Sequence, residues 1–306
     1  LPVNPRDTVL EHHAVALRGG RIVALIPADR LAGAFRAPLE TALDDHLLMP
    51  GLVNTHGHAA MTLLRGLADD HMLMDWLRDH IWPAEARWVG EDFVRTGTRL
   101  AIAEMLASGT TCASDMYFFP DVAAETVVEA GFRAQIAFPI FELPSAWGGN
   151  ADEYLAKGLQ VRDDYRSCPR LSFAFGPHAP YTTSNQTLAR VATLAAELDA
   201  AVQMHVHESA GEIRDAVAGH GCRPLARLES LGLLSPRFQA VHMTQVAPED
   251  LELLARNRVQ VLHCPSSNLK LAAGFCPVRT LGEAGINVAL GTDGAASNNS
   301  LDLFAE

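Results

Sequence analysis

Eight short apolar runs recur along residues 47–291, and segments with helical spacing of apolar residues separate most of them. Strands that are apolar on both faces are typical of parallel sheets covered by helices. Eight strand-helix units predict an α/β fold, a closed (β/α)8 TIM barrel. The eight predicted strands cover residues 47–54, 110–115, 133–140, 171–176, 201–207, 238–243, 259–263 and 287–291.

The first 46 residues break this pattern and predict a β-hairpin, because apolar residues at 14–17 and 21–26 flank the pair Gly19-Gly20. A two-stranded sheet is marginal in water, so companion strands are expected. The sequence lacks an initial Met and stops just after the eighth predicted strand. It therefore predicts a domain over 1–46 that is part of a small β-sandwich, and a barrel over 47–306 truncated after its eighth strand. The missing C-terminal segment is expected to complete the sandwich.

The formal net charge of -12, with only 24 Lys and Arg residues, argues against a nucleic-acid or anionic-membrane partner. A small neutral or cationic substrate fits better. The N-terminus has no signal-peptide pattern, and no apolar run is long enough to span a bilayer. The five cysteines are scattered without a CxxC pair, so the sequence indicates neither a disulfide framework nor a cysteine-ligated zinc site. We expect a cytoplasmic enzyme and, as is common for soluble enzymes, a homo-oligomer.

The strongest local signal is His56-Gly57-His58, directly after the first apolar run. On an extended strand, residues i and i+2 point to the same side, so two imidazoles can bind one metal ion. A pair of histidines at this spacing is a weak signal by itself. Its place at the C-terminal end of a predicted barrel strand strengthens it, because active sites of these barrels lie at that end.

Further polar residues follow the ends of other predicted strands. The fifth strand carries His205 and His207, with Glu208 next to them, and the sixth and eighth end at His242 and Asp293. His205 and His207 share parity, so geometry alone leaves either as a ligand; comparison with known barrel sites favours a structural role for His207. Histidines together with one carboxylate are a sound ligand set for zinc and leave a position open for water.

Residues 49–58 (MPGLVNTHGH), with His205, His242 and the Thr-Asp-Gly sequence around Asp293, resemble the amidohydrolase superfamily and its mononuclear deaminase branch. Dinuclear members carry a carbamylated lysine at the end of the fourth strand, and residues 171–178 contain none. The resemblance implies one Zn²⁺ per chain, although iron, manganese or cobalt also suit such ligands. The ligands it implies are His56, His58, His205 and Asp293.

Three further stretches, WPAEAR at 82–87, GPHAPY at 176–181 and HCPSSNLK at 263–270, resemble the 5-methylthioadenosine/S-adenosylhomocysteine deaminases. This likeness implies hydrolysis of adenine to a hypoxanthine nucleoside with release of ammonia. Zinc lowers the pKa of water from near 16 to about 7. In the roles that the resemblance implies, Glu208 donates a proton to ring N1, and His242 and Asp293 orient and deprotonate the attacking water. Glu85 accepts hydrogen bonds from the ribose hydroxyls, and His178 contacts the purine ring.

Three alternatives stay open. The loop 141–148 lacks the arginines with which some members meet the homocysteine carboxylate, which favours methylthioadenosine or adenosine. A guanine or oxopurine deaminase, or a triazine-type hydrolase, could use the same scaffold, and Glu85 discriminates because those substrates have no ribose. A metal-binding protein on an inactive barrel is the third, and it needs neither Glu208 nor His242.

Overall fold

The structure, a computed structural model, describes residues 8–306. The chain divides into two compact units, one that reaches to Gly51 and one that spans Leu52–Glu306. The start of the chain, where the sequence shows no signal-peptide pattern, lies outside the described residues. Within residues 8–306, no helix has the length and apolar character needed to cross a membrane.

The first unit contains the predicted hairpin, in which β1 (His13–Arg18) pairs antiparallel with β2 (Arg21–Pro27). Gly19 and Gly20 have φ angles of 57° and 73°. Both values lie in the left-handed region that glycine adopts readily, and they suit the tight turn of a two-residue hairpin. The companion strands of a β-sandwich stay a prediction.

The second unit contains an eight-stranded parallel sheet whose strands lie in sequence order, with helices in the connections, and the predicted (β/α)8 fold is confirmed. The sheet closes across its first and last strands, where the Asp293 N–H donates to the His56 carbonyl (3.0 Å) and the Thr55 hydroxyl to the Leu290 carbonyl (2.7 Å). The barrel strands are β3 (Leu52–Gly57), β4 (Thr110–Asp115), β5 (Arg133–Ile140), β6 (Leu171–Pro177), β7 (Ala201–Val206), β8 (Phe238–His242), β9 (Gln260–His263) and β10 (Val288–Leu290).

The helices of the described residues comprise long ones between the barrel strands and shorter ones around the strand ends. The α-helices are α1 (Leu31–Ala34), α2 (Leu73–Asp75), α3 (Trp82–Trp88), α4 (Glu91–Ala107), α5 (Pro120–Glu129), α6 (Ala151–Asp164), α7 (Asn185–Glu197), α8 (Ala210–His220), α9 (Pro224–Ser230), α10 (Pro248–Asn257), α11 (Pro265–Lys270), α12 (Val278–Glu283) and α13 (Ala295–Asn298). Two 3₁₀ segments (Ala28–Arg30, Ala59–Leu64) and a π-helical turn (Trp76–Ile81) complete them.

The first barrel strand begins later than its apolar run. The sequence predicts a strand from residue 47, whereas β3 starts at Leu52, whose N–H donates to the Gly109 carbonyl (3.0 Å). Pro50 has no N–H to contribute to a strand ladder, so the regular pairing starts after it. The shift does not move His56 and His58, which stand at the C-terminal end of the strand as predicted.

The interior of the barrel is partly polar. Gln203 on β7 donates to the side chain of Gln239 on β8 (2.7 Å), and Gln135 on β5 donates to the same oxygen (2.9 Å). Gln203 precedes His205 by two positions, so both side chains point inward. This amide network lies directly beneath the strand ends and braces the histidines above it.

Candidate metal centre and active site

Four ligand atoms from three strand ends converge on one point. His56 lies in β3 and His58 directly follows it, His205 lies in β7, and Asp293 stands three residues after the end of β10. One ligand atom from each of the four residues lies within 4.8 Å of every other. Oδ1 of Asp293 is 3.4 Å from Nε2 of His56 and 3.1 Å from Nε2 of His58, and the Nε2 atoms of His56 and His205 are 3.1 Å apart. Bonds of about 2.0–2.2 Å to one zinc ion would place neighbouring ligand atoms roughly 3–4 Å apart.

The opposite side of each imidazole ring is held by an acceptor. Nδ1 of His56 lies 2.9 Å from the side-chain oxygen of Gln203, Nδ1 of His58 lies 2.5 Å from the Met116 carbonyl, and Nδ1 of His205 lies 2.8 Å from the His178 carbonyl. An acceptor at Nδ1 requires the ring proton there, so each Nε2 presents a lone pair to the cluster.

The lone pairs on Nε2 of His56 and Nε2 of His205 face each other at 3.1 Å in a buried position. They repel unless a cation lies between them. The donor set of three imidazoles and one carboxylate fits zinc. The cluster is therefore built as a metal site, with the ligands that the sequence predicts.

Asp293 is fixed from both sides. Its Oδ2 accepts hydrogen bonds from Ser267 (2.6 Å) and Ser297 (2.9 Å), which leaves Oδ1 directed at the histidines. The two hydrogen bonds donated to Oδ2 favour the ionised form of this carboxyl. The group is a carboxylate, as a metal ligand must be.

A cavity of about 370 Å³ opens onto the cluster, and Glu208 and His242 line it beside the ligands. Oε1 of Glu208 lies 3.5 Å from Nε2 of His242. Burial and the nearby charge of Asp293 raise the pKa of Glu208 well above its usual range, so this side chain retains a proton. Burial lowers the pKa of His242 to about 3, which keeps its ring neutral.

Glu85 and His178 also line the cavity. Oε1 of Glu85, on α3, accepts a hydrogen bond from the Tyr117 hydroxyl (2.8 Å), and burial raises the pKa of Glu85 to about 7. The His178 ring stacks on Phe141 with centroids 4.7 Å apart. Burial lowers the pKa of His178 to about 3, so its ring is neutral as well. The residues that the sequence singles out as catalytic, metal-binding or substrate-binding thus line one cavity, except His56, which is buried beside it in the metal cluster.

His207 points away from the cluster. Its φ angle is 55°, in the left-handed region, and its Nε2 accepts the N–H of Leu225 (3.2 Å). This backbone reversal breaks the shared parity with His205 that the sequence suggests. Its buried Nδ1 lies 3.6 Å from a carboxylate oxygen of Asp250. The ring therefore braces the loop behind the site.

Several residues that support the site are not evident from motifs. Gln203 orients His56, Tyr117 holds Glu85, and Ser267 holds Asp293. Gln203 could have been found from its spacing of two before His205, since strand parity places it inside the barrel. The partners of Tyr117 and Ser267 lie 32 and 26 positions away, and no local pattern indicates them.

Residues 47–306 match the model of the amidohydrolase family. This chain belongs to the amidohydrolase family. The superfamily resemblance predicted from the histidine and aspartate motifs is thereby confirmed, and the metal cluster is that of a metal-dependent hydrolase.

Relatives of this amidohydrolase agree with the narrower likeness. The chain is 55% identical over its whole length to a 5-methylthioadenosine/S-adenosylhomocysteine deaminase of Saccharophagus degradans and covers 69% of that protein. It is 44% identical to a 5'-deoxyadenosine deaminase of Methanothermobacter thermautotrophicus, over 85% of this chain and 61% of the relative. A zinc-bound adenosine deaminase from Xanthomonas campestris superposes with a TM-score of 0.98 at 51% identity, over 100% of this chain and 70% of that one.

Proposed function

We propose that this amidohydrolase is a zinc-dependent deaminase that hydrolyses the 6-amino group of adenine nucleosides, namely 5'-methylthioadenosine, adenosine and related 5'-substituted compounds. The observation that carries the proposal is the placing of two carboxyl groups in one cavity. Glu208 lies beside the metal cluster, where a purine ring would react, and Glu85 is held by Tyr117, where it can accept ribose hydroxyls. The names of the similar proteins point the same way.

A zinc ion held by His56, His58, His205 and Asp293 would act as a Lewis acid that makes water a good nucleophile near neutral pH. Glu208 then donates its proton to ring N1, which draws electrons away from C6 as the nucleophile adds. The raised pKa of Glu208 supports this role, because a general acid must hold its proton at the working pH.

His242 orients the attacking water, and Asp293 deprotonates it. The side-chain amide of Asn268 donates to Nδ1 of His242 (2.9 Å), so the proton of the neutral ring lies on Nε2, which faces Glu208. His242 therefore orients as a hydrogen-bond donor. Asp293, ionised before the reaction, takes the proton from the water and passes it to the departing ammonia.

Glu85 and His178 bind the nucleoside. One oxygen of Glu85 accepts from Tyr117, and the other is available to a ribose hydroxyl. The His178 ring, stacked on Phe141, offers a flat neutral surface for the purine. A free base or a triazine would leave the second oxygen of Glu85 without a partner, and a buried unpaired carboxylate oxygen is costly. This favours a nucleoside over guanine or a chlorotriazine.

The wall that would meet the 5'-group is apolar. Leu73, Trp76, Leu77, Phe118 and Leu143 line the cavity, and no Lys or Arg is among the lining residues in the described part of the chain. A methylthio group gains from burial against such a wall, whereas the carboxylate of S-adenosylhomocysteine would lose its water without meeting a cation. We propose a preference for uncharged 5'-groups.

The test is ammonia release by the zinc-loaded, full-length protein from methylthioadenosine, adenosine, S-adenosylhomocysteine, guanine and a chlorotriazine. We expect turnover of the adenine nucleosides, with kcat/KM highest for methylthioadenosine. Turnover of guanine or the triazine alone would overturn the proposal. A cytoplasmic location and a homo-oligomeric state stay predictions.

A further inference from the structure

Behind Glu208, a second buried carboxylate holds the turn that carries it. Glu212 lies in the first turn of α8, only 8% exposed, and does not line the cavity. Its Oε1 accepts the N–H of His207 (2.9 Å), and its Oε2 accepts the N–H of Glu208 (2.7 Å). One carboxylate thus fixes two successive peptide groups between β7 and α8.

This arrangement differs from ordinary helix capping. Ser209, the N-cap of α8, accepts the N–H of Glu212 (3.2 Å), as in a capping box. In a complete box the glutamate accepts the N–H of the cap residue itself, here Ser209, and that N–H also interacts with the Glu212 carboxyl. Glu212 in addition reaches the N–H groups one and two residues further back. The left-handed φ of His207 and the pair of hydrogen bonds make the turn a concave anion site filled from within the chain.

The other side of the turn is held by Thr244, after β8. Its hydroxyl donates to the Glu208 carbonyl (2.7 Å), and its N–H donates to the His207 carbonyl (3.0 Å). The Glu208 side chain lies 3.5 Å from the nearest ring nitrogen of His242, beyond a good hydrogen bond. The place of its carboxyl group is therefore set by its backbone.

We propose that Glu212 is a positioning residue, which sets by its two hydrogen bonds the place from which Glu208 reaches the adenine ring. The inference rests on the proposed function, because it assigns Glu212 a part only if Glu208 is the proton donor. Glutamine at position 212 keeps one acceptor oxygen but turns an NH₂ group toward the other N–H. That N–H is left buried and unpaired, and the turn must shift.

The experiment measures ammonia release from methylthioadenosine by zinc-loaded, full-length Glu212→Gln. We expect kcat to fall by about 10- to 100-fold, since a misplacement of roughly 1 Å can cost a factor of 10². KM should stay within about threefold and zinc at one per chain, because neither the ligands nor the substrate contacts change.

The matched control is Ser209→Ala, which removes the ordinary cap of the same helix but leaves both hydrogen bonds of Glu212. Its kcat should stay within about twofold of the parent protein. Equal losses in the two variants would assign the effect to helix stability and overturn the proposal. Should Glu212→Gln fail to fold, Glu212→Asp, whose shorter side chain cannot span both N–H groups, is judged by the same measurements.

A double variant separates this inference from the proposed function. If Glu212 acts through Glu208, then Glu208→Gln/Glu212→Gln has the kcat of Glu208→Gln alone, because the two changes are not additive. If the kcat of the double variant falls below that of Glu208→Gln by the full factor that Glu212→Gln shows alone, the inference is overturned. Full turnover by Glu208→Gln sinks the proposed function, whereas a silent Glu208→Gln beside a fully active Glu212→Gln sinks only the role of Glu212.

Discussion

At the scale of single residues, the site separates groups that hold the metal from a group that moves a proton. Glu208→Gln keeps the shape of the side chain but removes its acid, and a placed general acid is typically worth about 10²- to 10⁴-fold in rate. We expect kcat to fall by that factor while zinc stays at one per chain. His56→Asn should instead lose zinc, because it removes a ligand atom. Turnover with adenosine and elemental analysis of zinc measure both, and a Glu208→Gln protein with normal kcat contradicts the role.

The carboxyl group of Glu85 gives a pH dependence with a definite sign. Burial raises its pKa to about 7, and only the ionised form can accept hydrogen bonds at both oxygens. The kcat/KM for a nucleoside should therefore rise with pH, with a midpoint at or below about 7, since a nearby dication favours the ionised form. We expect this limb with adenosine but not with 2',3'-dideoxyadenosine, which lacks the diol. If kcat/KM rises with the same midpoint and by the same factor for both substrates, the pH dependence belongs to a group other than Glu85.

The residues proposed to contact the metal and the substrate could be predicted from the sequence. Most of the residues that hold them in place by hydrogen bonds could not. Histidines and carboxyl groups after apolar runs stand out because barrel strands bring their ends together. Tyr117, Ser267 and Glu212 are defined by partners in the folded chain. Glu212 left the fullest local signal, a Ser-x-x-Glu pattern from Ser209, but that pattern indicates a helix start and not the turn before it.

At the scale of elements, a close approach behind the metal ligands depends on one glycine. Gly97 lies within α4, where a Cβ would be 2.5 Å from the carbonyl oxygen of Ala60, in the 3₁₀ segment that follows His58. Gly97→Ala should destabilise the fold by about 1–3 kcal/mol through overpacking. At about 2–4 °C per kcal/mol for a domain of this size, the Tm measured by calorimetry should fall by several degrees.

Gly219 supplies the control for that prediction. It lies in α8, and a Cβ there would meet nothing within 4 Å. Alanine is the better helix former by about 1 kcal/mol, so Gly219→Ala should leave Tm unchanged or raise it. A lower Tm in both variants would show that glycine matters here for a reason other than the contact with Ala60.

The barrel strands after the first were predictable to within a residue or two, and the short helical segments were not. The strand predicted at 133–140 matches β5, because it carries a full apolar pattern that burial enforces. The short helix α11 and the π-helical turn at Trp76–Ile81 have too few residues to show a period. The π-helical turn lines the cavity and Ser267 of α11 donates to Asp293, so tertiary contacts decide the backbone in both elements.

At the scale of the whole molecule, the metal cluster joins distant parts of the chain. His56 and Asp293 lie at the ends of the first and the last barrel strand, which meet where the barrel closes. His205 lies at the end of the fifth of the eight strands. The strand count predicts closure, but the polar interior of glutamines beneath the cluster was not foreseen, since the strands read as apolar on both faces. That interior orients His56 through Gln203 and links metal binding to the packing of the sheet.

Removal of zinc should therefore lower the stability of the barrel as a unit. A ligand at 100 times its Kd stabilises a fold by about 2.7 kcal/mol, which corresponds to roughly 5–10 °C in Tm. We expect a chelator to lower Tm by that amount and added zinc to restore it, with turnover lost and regained in parallel. His56→Asn is the control, because a protein that cannot hold zinc should show a Tm that neither chelator nor zinc changes. If zinc does not change the Tm of the parent protein although turnover depends on zinc, the prediction is wrong. The sheet alone would then hold the four ligands in place.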